Sequence, residues 1–429
     1  MRGGVRSAVA ATLWLLAAGG ANAATLYVHA GRLVDPVRGE VLADRRVTVV
    51  DGRVAAVEPW SAPPAGEEVL DWSAFTVLPG LIDMHTHVAD GFGQSNDPAE
   101  PLKHSEAATI LKGAEAARTM LRAGFTTVRD VGAFRGLTDA ALRDAIAAGE
   151  VDGPRMVVAG AYITIPGGGG AVTGAPKGTV VPEAFRLGET RSPQEARDRV
   201  RYLLSHGADF IKLIATGAVL AVGSEPGALE LTPEEMQAAC DEAKAMGSYC
   251  IAHAHGAAGV KAAIRAGART IEHASLIDDE GIALAKARGV WLDMDIYDGD
   301  WIEEIGTKEG WPAEYLRKNR ETTDVQREGF RKAVAAGAKL TFGTDAGVYP
   351  YGLGARQFRY MVRYGMTPAQ AIRAATTEAA SALRLEREVG QVAPGFSADM
   401  VAVKGDPLAD VTLLEHVAGV MKAGRVVAP

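Results

Sequence analysis

The chain has 429 residues, 48% of them hydrophobic and 23% charged, which is enough for a large core plus a smaller second domain. Its 45 basic and 53 acidic side chains leave a formal charge of −8, and no block of like charge forms a tail. That balance argues against a nucleic-acid partner.

Met1–Arg6 carries two arginines, residues 8–20 are apolar (AVAATLWLLAAGG), and Ala21-Asn22-Ala23 fits a small-residue cleavage site. This reads as a secretory signal peptide over 1–23, which places the mature protein in the periplasm or the medium. No later run reaches about 18 apolar residues, so no membrane association is expected after cleavage. No cysteine follows the cleavage site to carry a lipid. Only Cys240 and Cys250 are present. Export permits a disulfide, but one falls in a helical pattern and the other on the next strand, and two packed free thiols are expected.

Residues Thr25–Val77 read as short strands and turns, with Asp51-Gly52 as a hairpin signal. Ala398–Val403 and Val417–Val427 repeat that texture. Neither end is long enough to fold well alone, so one small β-sandwich built from both termini (24–78 plus 390–429) is expected. Between them, in 79–389, eight strand-like segments begin near Gly80, Thr126, Arg155, Phe210, Tyr249, Thr270, Val290 and Leu340. Helical stretches such as Glu106–Ala123, Pro193–His206, Pro233–Met246 and Gly256–Ala266 separate most of them. The expected fold is therefore α/β, a (β/α)8 barrel whose site lies at the C-terminal ends of the strands. Two long connections, Tyr162–Thr190 and the aromatic-rich Tyr297–Asn319, read as lids or binding loops. The glycines of the first are no phosphate cradle, because Ala175-Pro176 stand where Lys-Ser/Thr would be required.

Chemistry concentrates at the strand ends. In LPGLIDMHTHV, His85 and His87 are two apart and share one face of a strand, a ready pair of metal ligands. Lys212 sits inside the apolar run FIKLI, where an unpartnered ammonium is costly. His253 and His255 repeat the two-residue spacing in IAHAHG, His273 follows in TIEHAS, and Asp345 in GTDAG. His29, His104, His206 and His416 lie away from this rim and read as surface or packing residues.

With LIDMHTHV, FIKLIATG, IAHAHG, TIEHAS and GTDAG in this order, nearly the whole mature chain resembles the amidohydrolase superfamily. The nearest likeness is to its prolidase-like and imidazolonepropionase-like members, which include secreted Xaa-Pro-type dipeptidases and ochratoxin-hydrolysing amidohydrolases. The resemblance implies two divalent ions, usually zinc. His85, His87 and Asp345 would hold one, His253 and His273 the other, and Lys212, carboxylated by CO2, would bridge them. It assigns catalysis to Asp345, Lys212 and His273, with Asp345 moving the proton. The implied reaction is hydrolysis of an amide or peptide bond beside a free carboxylate. Cyclic amides are the alternative substrates, and retention of Asp345 disfavours a metal-binding protein without catalysis. His255 would meet the substrate carboxylate or orient His253. The resemblance also implies a homo-oligomer, with an octamer as a candidate, and a small-molecule substrate as the only other partner. Two departures stand out. Gly167–Gly170 has no histidine where prolidase-like relatives read Gly-Gly-His-Gly, and Tyr351 replaces the histidine of their Pro-His-Gly. Tyr351 and the aromatics Trp301–Tyr315 would then suit a bulkier, more apolar substrate.

Overall fold

The computed structural model describes residues 25–90 and 96–427; the expected signal peptide at 1–23 lies outside them. Four strands open the described chain: β1 (Thr25–Asp35), β2 (Glu40–Val50), β3 (Arg53–Pro59) and β4 (Glu68–Pro79). Asp51 and Gly52 join β2 to β3 with φ of 49° and 75°, the left-handed pair that a two-residue hairpin needs and that Asp-Gly supplies cheaply. Nine parallel segments follow: β5 (Leu81–Thr86), β6 (Phe125–Asp130), β7 (Arg155–Val158), β8 (Tyr162–Ile163), β9 (Ile211–Ile214), β10 (Cys250–Gly256), β11 (Thr270–Leu276), β12 (Trp291–Asp293) and β13 (Lys339–Thr341). Three strands close the chain: β14 (Met400–Val403), β15 (Val417–Lys422) and β16 (Arg425–Val427).

Both ends of the chain share one sheet, in the order β16-β15-β14-β4-β1-β2-β3. It curls over until β3 meets the segment that leads into β14. Val54 N donates to Phe396 O at 2.9 Å, and Gly395 N donates to Val54 O at 2.8 Å. Val28, Val47, Trp72, Val77, Met400 and Met421 fill the space inside.

The central strands form the barrel. β5, β6 and β7 pair in one arc, and β8 to β13 pair in the other. The third barrel position is split between them: β7 pairs with β6, and β8 pairs with β9. Met84 N donates to Phe342 O (2.9 Å), and a bridge joins Thr86 to Ala346, closing β5 onto the end of β13. Eight positions thus make a closed parallel barrel.

The outer ring comprises α1 (Glu106–Arg122), α2 (Thr138–Ala147), α3 (Pro193–Ser205), α4 (Pro233–Ala245), α5 (Ala257–Ala266), α6 (Asp279–Arg288), α7 (Asp298–Glu309) and α8 (Ala313–Ala336). Local chemistry sets their ends. Thr232 and Glu235 form a capping box on α4, with Pro233 in its first turn. Among the described residues no helix is long and apolar enough to cross a membrane.

Two expectations are corrected here. Cys240 and Cys250 are joined in a disulfide, with Cα atoms 5.2 Å apart. The buried face of α4 lies against the start of β10, which brings the sulfurs within bonding reach. Residues 297–319, expected as a long loop, are instead α7 and the opening of α8, hinged at Gly310 (φ 70°) and Pro312. Their aromatics are buried against one another: Tyr297, Trp311 and Tyr315 pack with Tyr349 as a separate small core.

Candidate functional site

Every position of β5 is buried, so the strand can place His85 inward only by giving the imidazole a polar partner. His85 Nε2 and His87 Nε2 approach the same oxygen, Asp345 Oδ1, at 3.4 and 3.1 Å. This is the shared face that the two-residue spacing requires. Lys212 on β9 is 1% exposed, and its Nζ has no hydrogen-bond partner. His253, His255 and His273 each bring one ligand atom within 4.8 Å of the others, as do His85, His87 and Asp345. The rings of His85 and His273 lie 4.8 Å apart, linking the two groups. His273 and Asp345 have φ of 64° and 55°. Left-handed backbone at non-glycine residues is strained and clusters where geometry is set for function.

The structure brings His85, His87, Lys212, His253, His255, His273 and Asp345 to the wall of one cavity. Tyr351 is not among the lining residues. It lies on a short turn behind β5, and its hydroxyl donates to the main-chain oxygen of His87 at 3.0 Å. Of the Trp301–Tyr315 aromatics none lines the cavity; their neighbour Ile302 does.

Four of the five imidazoles are held by a hydrogen bond at one ring nitrogen, and the fifth, His85, has only an ion-pair approach. His273 Nδ1 lies 2.7 Å from Asp295 Oδ2, and His255 Nδ1 lies 2.8 Å from Ser275 Oγ. His87 Nδ1 meets Gly132 O at 3.1 Å and the Tyr162 hydroxyl at 3.0 Å. His85 Nδ1 faces Glu272 Oε2 at 3.3 Å. In these four, Nε2 is the nitrogen left for a ligand. His253 is the reverse, with Nε2 at 3.1 Å from Gly217 O and Nδ1 left over. Such anchoring fixes tautomer and orientation. Gln326 completes one anchor by donating to Asp295 Oδ1 at 2.9 Å.

Sequence reasoning missed Tyr162, Glu272, Ser275, Asp295 and Gln326. Glu272 beside His273 in TIEHAS, and Asp295 two residues after Asp293, were visible signals. Gln326, inside a 24-residue helix, gave none.

The electrostatics suit metal ligands. Burial would raise the Asp345 carboxyl, but His85 and His87 hold it well below the usual carboxylate range. Burial pushes His85, His253 and His255 far down, so they are neutral, the form that donates a lone pair. Burial would also lower His87, but Asp345 raises it to about 9. Burial brings the Lys212 ammonium down to about 8, Glu272 opposing and Arg129 assisting. An orphaned amine, convergent imidazoles and a carboxylate form a mixed N/O donor set that fits a pair of divalent ions. The outer cavity wall is apolar, from Phe134, Ile214, Leu220, Ile302 and Val348, and Asp90 and Asp298 supply further carboxylates. Among the described lining residues there is no arginine, and Lys212 is the sole lysine.

A model of the amidohydrolase family matches residues 76–427. Ochratoxinase of Aspergillus niger is 29% identical over 419 residues, covering 93% of this chain and 86% of its own. The imidazolonepropionase of Salinispora arenicola is 25% identical over 382 residues, covering 83% of this chain and 84% of its own. A solved Xaa-Pro dipeptidase with methionine bound in its active site superimposes with a TM-score of 0.88 at 35% identity, over 94% of this chain and 100% of that one. All the residues gathered at the cavity fall inside the matched span, and the chain belongs to the amidohydrolase family.

Proposed function

We propose that this amidohydrolase is an exported, binuclear zinc enzyme that cleaves an amide or peptide bond next to a free carboxylate. Its substrates would be dipeptides, N-acyl amino acids or an ochratoxin-like amide. The observation that carries the reading is that two donor groups, His85–His87–Asp345 and His253–His255–His273, line one cavity with Lys212, a buried amine with no hydrogen-bond partner. His85, His87 and Asp345 would hold one ion, and His253 and His273 the other. Lys212, neutral above about pH 8, would add CO2 at Nζ, lose a proton and become a bridging carboxylate. Two divalent ions held there would lower the pKa of a water between them toward neutrality and polarise a carbonyl.

The chain's own groups do the rest. Asp345, ionised and aimed between His85 and His87, takes the proton of the attacking water and returns it to the leaving amine. Asp295 and Gln326 keep His273 from rotating. The apolar outer wall excludes water and accommodates a bulky acyl or amine group. Similarity to an ochratoxinase and to a Xaa-Pro dipeptidase supports the substrate class. The apolar leader at 1–23 and the Cys240–Cys250 bridge support export.

One observation favours a second reading. Once His85, His87, Lys212, His253 and His273 are taken as metal ligands, the one basic side chain left among the described lining residues is His255, and burial keeps that imidazole neutral. Cyclic amides, as in the imidazolonepropionase relative, need no such partner.

The test is amine release by the zinc-loaded protein from N-acyl amino acids and dipeptides, Xaa-Pro and ochratoxin A included, each as free acid and as C-terminal amide. Turnover of the free acids alone supports the first reading. Equal turnover of both forms, or of neither while a cyclic amide opens, overturns it in favour of the second.

A further inference from the structure

Beneath the metal-type donors the barrel interior is polar. Arg129 on β6 has no exposed surface, and its guanidinium reaches across the barrel. Nε donates to Met84 O on β5 at 2.6 Å and Nη1 to Thr270 Oγ1 on β11 at 2.8 Å. Nη2 donates to Glu272 Oε2 at 2.8 Å and to Asp293 Oδ2 on β12 at 3.3 Å. Thr270 Oγ1 closes a short hydrogen bond on the other Glu272 oxygen. Thr341 on β13 donates to Asp293 at 2.8 Å. A Cβ at residue 343 would stand 2.4 Å from Asp293 Oδ2, so only glycine admits the layer there. This layer joins five of the eight barrel positions, and its upper face is the Glu272 carboxylate under His85.

We propose that Glu272 is a positioning residue for His85: braced by Arg129 and Thr270, its carboxylate holds Nδ1–H and turns Nε2 toward Asp345 and the cavity. His85 Nδ1 is fully enclosed and makes no hydrogen bond, and Glu272 Oε2 faces it at 3.3 Å. The 3.3 Å approach is an ion-pair contact that a small rotation of the ring would turn into a hydrogen bond. With both Glu272 oxygens braced from below, the carboxylate cannot follow the ring, so the ring must follow the carboxylate.

Replacing Glu272 with leucine removes the acceptor beneath His85. Glutamine would not do so, because Arg129 Nη2 and His85 Nδ1 face the same Glu272 oxygen and the guanidinium would keep a carboxamide oxygen there. Without that acceptor the proton is free to move from Nδ1 to Nε2, the atom needed for ligation. The experiment reads the nine histidines of metal-free protein by 15N chemical shift, and zinc affinity by chelator competition. In the native chain His85 is expected as the Nδ1–H tautomer. In Glu272→Leu a mixture with Nε2–H is expected, with zinc affinity at that site lowered about 10- to 100-fold. An unchanged tautomer overturns the inference, whether or not zinc binds, and so does a changed tautomer with unchanged affinity. The zinc half rests on the proposed metal centre. A native chain that takes up no zinc would sink that reading, while the tautomer would still decide the role of Glu272. If Glu272→Leu does not fold, the charge-neutral pair Arg129→Met/Glu272→Leu carries the same readout. It should show mixed His85 tautomers, and a single Nδ1–H form would overturn the inference.

Discussion

Removing the Arg129 guanidinium tests the polar layer by stability rather than by activity. Arg129→Met keeps much of the volume and deletes four contacts, to Met84 O, Thr270, Glu272 and Asp293. The Glu272 carboxylate is then buried without its cation, and breaking a buried pair in this way costs about 3–5 kcal/mol. Stability should fall by that amount, which leaves a protein of ordinary stability folded at 25 °C. Asp293 adds little, because burial and Glu272 push its carboxyl well above the usual range and leave it protonated. The sign with pH follows. Burial would raise Glu272, but Arg129 and Lys212 hold it below its ordinary 4.5. That stabilisation is present above pH 4.5 and is lost as pH falls through the lower folded value. The gap between native and variant should therefore be widest at pH 8 and narrow as Glu272 becomes protonated in the variant. Urea unfolding of metal-free protein, followed by the fluorescence of its six tryptophans, measures both. Arg129→Met/Glu272→Leu removes both charges and should recover most of the loss, since apolar replacement of a buried pair is often neutral. A single-variant cost below about 1 kcal/mol, or a double variant no more stable than the single, would refute the reasoning.

Three further outcomes follow from other parts of the molecule. Asp345→Asn should retain its metal by elemental analysis while kcat/KM drops about 10²- to 10⁴-fold, and isolation as apoprotein would count against a proton-carrying role. Zinc uptake by the stripped native chain should accelerate with added bicarbonate and as pH rises through about 8, where burial leaves the Lys212 amine neutral. Lys212→Ala should bind less metal and regain part of it with short carboxylic acids; bicarbonate-independent uptake would remove the bridge. The Cys240→Ala/Cys250→Val pair, which opens a link between residues 10 apart, should lower stability by about 3 kcal/mol in urea unfolding. A reductant should then have no further effect, and an unchanged midpoint would contradict a stabilising bridge.

What was legible in the sequence was what a strand's period can carry. Two histidines two residues apart must share a face, and a βα alternation must put strand ends on one rim, so His85, His87, Lys212, His253, His273 and Asp345 could be placed together before any coordinates. Partners from different strands were not legible. Glu272 reaches His85 from the far side of the barrel, and Asp295 reaches His273 from beyond the neighbouring strand β12, contacts that depend on barrel closure and register rather than spacing. Tyr297–Asn319 read as a loop and is instead two helices, with the break between them at Gly310 and Pro312. Tyr351 stands where a histidine was expected, but its turn sends the hydroxyl to the His87 backbone. Cys240 and Cys250 looked unpaired because a helix end and a turn lie between them, yet that reversal is what brings α4 back onto β10.

The polar layer gives the barrel a feature that stability alone does not call for. Barrel interiors are ordinarily filled by branched apolar side chains, and a well-packed apolar set in place of Arg129 and Glu272 should hold these strands about as well. What an apolar layer could not supply is a carboxylate fixed from below at His85 Nδ1, with a guanidinium close enough to Lys212 to disfavour its ammonium. The two experiments on this layer therefore diverge by design. Arg129→Met/Glu272→Leu should be nearly as stable as the native chain and yet lose the single His85 tautomer. If stability and tautomer fell or survived together, the layer would be packing like any other. If they separate, the charges in the barrel serve the site above them.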